Sequence, residues 1–166
     1  MSTAATLSRG LVKGAIAGAA ATWVMGQVTS YMYEHEDPEA REREDSARGG
    51  VTAYERGAGI AADAVGVELT EAGRRQAGTA LHWATGVGAG ALYGAVRELF
   101  PGISVGQGSG FGAAFFLAVD EGLVPILGLT PGPGAFPWQA HFRGLAGHLV
   151  FGVVADTVLD VLDRVA

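Results

Sequence analysis

The side chains in this sequence that could do chemistry are few: four histidines (His35, His82, His141, His148), the adjacent acids Asp120 and Glu121, and Arg143. Imidazole titrates nearer neutral pH than any other side chain, so histidine beside a carboxylate is the usual material of a proton relay. Asp120 and Glu121 are neighbours in an apolar stretch, where a charge costs on the order of 2.5–3.5 kcal/mol at a bilayer centre. Successive helical residues point about 100° apart, so the two acids cannot face each other as a dyad and must have different roles. Pro125 lacks an N–H and leaves the Glu121 carbonyl without its helical donor, which bends the chain at the acids. Broken helices beside acids recur at ion sites in transporters. The competing reading ends the helix near Pro125 and leaves both acids solvated at the membrane interface.

His82 and His148 admit three readings. They could make an interhelical hydrogen bond, form a protonatable relay with an acid, or ligate haem or a divalent metal with Asp120 or Glu121 completing the site. His141 and His148 would share a helix face, although a helix beginning at Gly144 leaves His141 outside it. No zinc-type HExxH, phosphate-cradling GxxxxGK[ST] or GxSxG elbow occurs, and the expectation is a protein that is not an enzyme. GQGSGFG at 106–112 has no preceding strand or βαβ unit, and reads as helix packing rather than a dinucleotide loop.

The elements that must hold these residues are apolar. Stretches 11–33, 77–96, 103–129 and 144–162 carry almost no charge, although mean hydropathy over the chain is only +0.27. Gly and Ala are weakly apolar and the intervening segment is charged, so the average conceals the segments. A twenty-residue helix spans roughly 30 Å, the thickness of a hydrocarbon core. A single domain of 166 residues has too little interior to enclose four such helices in water. The expected fold is therefore all-α: one membrane domain over residues 1–166, with four transmembrane helices in an up-down-up-down bundle. The extramembrane segment 34–76 contributes a mixed-charge run, read as a solvated loop or helix extension, then a short amphipathic helix. The basic start and apolar run near residue 9 imitate a signal peptide, but the apolar run continues past any cleavage point and reads as the first membrane helix.

Small residues recur four apart: Gly14, Gly18, Thr22 and Gly26, then Gly86, Gly90 and Gly94, then Gly108 and Gly112, with Gly144 and Gly152 in the last stretch. They let helices approach where lipid supplies no hydrophobic drive, within the chain, in a homo-oligomer, or on a larger membrane complex. The up-down-up-down order puts every histidine on one membrane side with Asp120, Glu121 and Arg143. The other side holds Arg9, Lys13, Arg97, Glu98, Asp156, Asp160 and Asp163. Seven Lys and Arg lie on the histidine side (41, 43, 48, 56, 74, 75, 143) and four on the other (9, 13, 97, 164), which turns the histidines toward the cytoplasm. Net charge is −6 with the basic residues dispersed, so no nucleic-acid footprint exists, and without cysteine there are no disulfides or thiolate sites.

Phe100-Pro101, Pro125-Ile126-Leu127-Gly128-Leu129-Thr130-Pro131, Pro137-Trp138 and Gly147-His148-Leu149-Val150-Phe151 occur in an order that resembles the YagU-like family of small bacterial inner-membrane proteins. The resemblance covers His82 to Leu162. It implies a multi-pass protein of the bacterial inner membrane associated with acid resistance, with no reaction assigned. Together with the residues above it points to proton handling in acid stress, with Asp120 the main proton-bearing group and His82 and His148 its partners.

Overall fold

The computed structural model describes residues 2–165, which are helical with no strand among them. The helices are α1 (Thr3–Glu34), α2 (Pro38–Arg48), α3 (Ala53–Ala64), α4 (Glu71–Leu99), α5 (Ser109–Ile126) and α6 (Trp138–Val165), with 3-10 turns at Pro101–Ile103 and Pro133–Ala135. Local chemistry sets the ends of the short ones. The Asp37 side chain accepts from Ala40 N–H at 3.1 Å, Pro38 opens α2, and Gly49 closes it at φ +66°. Thr52 and Glu55 form a reciprocal capping box at the start of α3.

Two close-packed seams organise the long helices. Gly10, Gly14 and Gly18 of α1 meet Gly94, Gly90 and Gly86 of α4 in antiparallel order. A Cβ on Gly10 would lie 2.7 Å from the Gly94 carbonyl oxygen, and one on Gly18 2.6 Å from that of Gly86. No side chain fits there, and the backbones pack directly. Between α5 and α6, Gly108 abuts Gly152, Gly112 abuts the His148 carbonyl, and the Phe116 ring lies over Gly144. Helix α6 also runs antiparallel to α1, from Lys13 against Asp163 to Thr29 against Gly147. These glycines are thus engaged within the chain. Gly26 is not, since nothing outside its own helix lies within 4 Å of where its Cβ would be. The core between the seams is Ala17, Ala21, Tyr93, Phe151, Ala155 and Leu159.

Large apolar side chains, among them Leu11, Ile16, Trp23, Leu92, Leu117 and Val161, point outward. A soluble surface of this kind would aggregate, whereas lipid solvates it. Among the described residues α1, α5 and α6 are long and apolar enough to cross a membrane. Helix α4, which contains the expected span 77–96, falls short because its middle is Gly, Ala and Thr with His82 among them. The third stretch begins later than 103: positive φ at Gly106, Gln107 and Gly108 makes a tight turn, and the helix starts at Ser109. The fourth begins earlier than 144, at Trp138, which brings His141 inside α6. The charged run is neither a loop nor an extension of α1. It is the separate helix α2, whose Ala40 and Glu44 are fully buried.

Candidate functional site

The Asp120-Glu121 pair lies in a widened part of α5, where residues Phe116–Leu123 follow π-helical hydrogen bonding. Pro125 is two residues beyond. A widened turn shifts the donor register ahead of a residue that has no N–H to offer, and such turns concentrate at functional sites. Here it sends the two acids to different histidines. Glu121 Oε1 is 2.5 Å from His141 Nδ1, while His141 Nε2 is 3.1 Å from the Pro133 carbonyl oxygen. A carbonyl only accepts, so Nε2 carries hydrogen. The short contact at Nδ1 then requires one further proton held between imidazole and carboxylate, either as imidazolium with carboxylate or as neutral imidazole with carboxylic acid.

Asp120 Oδ2 is 3.8 Å from His148 Nδ1, and that nitrogen donates to the Gly144 carbonyl at 2.9 Å. His148 is buried, with Phe115 and Phe116 rings against it. Thr22, Tyr54, His82, Phe115, His148 and Phe151 enclose a small cavity of about 20 Å³, enough for a single water. Tyr54 reaches this cavity from α3, its ring 4.9 Å from that of His82 in an edge-on arrangement. Burial, and then the negative charge of Asp120, push the Tyr54 hydroxyl up to about 12. The cavity that His82 and His148 line is far smaller than a porphyrin. No group of three or more His, Cys, Asp or Glu that could hold a metal ion occurs among the described residues. The divalent-metal reading of this pair thus finds no third ligand among the described residues.

Arg143 heads a second tier nearer the helix ends. Its guanidinium is paired with Glu36 and, at 2.5 Å, with both oxygens of Glu44, and it lies 5.0 Å from the centre of the Tyr33 ring. Arg48 also pairs with Glu44. Glu36 Oε1, Arg41 Nε and Gln139 Oε1 are buried at this rim with no protein partner. His35 stands apart, its ring stacked on Tyr31. Sequence reasoning singled out Arg143 but missed Glu36, Glu44, Arg48 and Tyr54. The readable signal was the spacing of Ala40, Glu44 and Ala47, a narrow small-residue stripe with one acid in it.

At the opposite end Asp156 is buried and accepts from Tyr93 Oη, Ser104 Oγ and Arg97 Nε at 2.8, 2.8 and 2.9 Å. Arg97 also pairs with Asp160 and Asp163, Lys13 with Asp163, and Arg9 with Glu98.

No curated protein and no solved structure matches the chain. The profile of a family described as protein of unknown function, DUF1440, matches residues 40–157, from α2 into α6. That match takes in the side chains of both tiers except Thr22, Tyr33 and Glu36 and extends the resemblance read from the later motifs back into the charged run. The chain belongs to the DUF1440, or YagU-like, family.

Proposed function

We propose that this is a multi-pass protein of the bacterial inner membrane that handles protons through the Glu121–His141 and Asp120–His148 pairs, serves in acid stress, and is not an enzyme. The observation that carries the reading is the His141 ring, held between a carbonyl and the Glu121 carboxylate, an arrangement in which ring and carboxylate can share a proton. Asp120, half-buried beside His148 and the single-water cavity lined by His82, supplies the next acceptor. Helix α4 is read as the fourth pass of an up-down-up-down bundle. Its 29 residues measure about 44 Å, and it follows α1 closely along the glycine seam, so it shares that helix's depth. Lipid is the surrounding partner. The engaged glycine seams favour a chain that packs on itself over a homo-oligomer or an accessory subunit of a larger membrane complex.

The test is proton entry into liposomes containing the purified protein, read by an internal pH dye under an imposed gradient. Wild-type protein should conduct above empty liposomes, and Asp120→Asn and Glu121→Gln should each lower the rate at least tenfold. Equal flux in wild type and both variants would sink the reading.

A further inference from the structure

The charged helix α2 is held unlike any other long element of the fold. Helices α1, α4, α5 and α6 interlock along glycine seams, and α3 lies on α4 with its Glu55 backbone against Gly78. Helix α2 has no such seam with any neighbour. Side chains tie it down instead: Glu44 to Arg143 of α6, and Asp45 to the Tyr33 hydroxyl of α1 at 2.8 Å. Both of its ends are built to turn. A bend at Glu36 and Asp37 precedes it, and Gly49 and Gly50, at φ +66° and +74° with open space around them, follow it.

Its position is at the rim of the acid site. Glu44 is held by Arg143, which stands about a turn and a half before His148 on α6, and Tyr54, just beyond α2, lines the His82–His148 cavity. The joint is also imperfectly satisfied, since Glu36 Oε1, Arg41 Nε and Gln139 Oε1 are buried there unpaired. Water entering the joint would hydrate all three, which offsets part of what opening loses.

We propose that α2 is a plug on the aqueous side of the His82–His148 cavity, latched by Arg143 through Glu36 and Glu44, and that the cavity is reached when this latch releases. The inference rests on the proton-handling reading only for its purpose; the plug itself is tested by access. The chain has no cysteine, so a single Thr22→Cys in the cavity wall reports access alone. In proteoliposomes the rate of its modification by a membrane-impermeant, cationic methanethiosulfonate should rise at least tenfold with Glu44→Gln. It should rise by less with Arg143→Lys, which keeps the charge but not the two-oxygen grip on Glu44. Unchanged rates in both, with helix content intact by circular dichroism, overturn the plug. On the unaltered chain, amides of α2 should exchange hydrogen as one unit and faster than those of the α1 seam; equal protection likewise overturns it. Access that responds to the latch in a protein without proton flux would leave the plug standing and remove the proton reading. Flux that depends on Asp120 with access indifferent to the latch would do the reverse.

Discussion

The two ends of the helical bundle both bury acids against arginine, but only one of them also sets acids against histidine. At one end Asp156 is met by an arginine and two hydroxyls, Asp163 by a lysine and the same arginine, and Glu98 by another arginine. Those cations keep their charge at any physiological pH, so this end is a fixed lattice. At the other end Arg143 and Arg48 hold Glu36 and Glu44 in the same permanent way, but Glu121 and Asp120 face histidines, whose charge depends on a proton. Permanent partners hold helices together. Conditional partners let protonation state and local structure influence each other, and here they sit beside a water-sized cavity.

The comparison can be broken at its strongest point first. Arg97→Gln should strip Asp156 of its cation inside the fold and cost about 3–5 kcal/mol, the usual range for one partner lost from a buried pair, seen as a fall in the thermal midpoint in detergent. Glu121→Gln, at the other end, should move that midpoint little while lowering proton flux at least tenfold. If the two variants lose stability equally, the distinction between a fixed and a conditional end is wrong. Next in size, Gly90→Ala should cost about 1–3 kcal/mol by forcing α1 and α4 apart, because its Cβ would sit 2.5 Å from the Gly14 carbonyl oxygen. The same change at Gly26 should be tolerated, since no neighbour stands there. Comparing thermal midpoints of the two variants checks the seam independently of the acids.

The smallest effect concerns Tyr54. Its folded-state value near 12 is raised above the usual tyrosine value of about 10, so the folded chain binds the proton more tightly than the unfolded one. The stability this contributes is present below about pH 10 and is lost as pH climbs from there through about 12. Phenolate absorbance should show late-titrating tyrosine, and the difference between wild type and Tyr54→Phe should be one equivalent titrating there. Titration of that tyrosine near pH 10 would place Tyr54 in water and away from His82.

Much of the site was legible because it followed from chain order. Three successive long helices in alternating direction bring His82, Asp120, Glu121, His141 and His148 to one end whatever their rotamers. The pairings were not legible. Which histidine takes which acid depends on the widened turn at Phe116–Leu123, and the early start of α6 at Trp138 is what carries His141 to Glu121. The Glu34–Asp45 run reads as solvated because charge usually is. Burial of Glu44 became possible only because Arg143, 99 residues away, supplies its counter-charge.

By itself the sequence determined the helical class, three of the four apolar spans, the glycine stripes and the end at which the histidines gather, since these depend on residue type, local spacing and direction of the chain. Only the tertiary structure decided that the stripes close on one another, that α2 is tied at the rim of the acid site, and that each acid has its own histidine. Those are contacts between residues far apart in sequence, fixed by helix phase and by local departures from the regular helix, which no local pattern encodes.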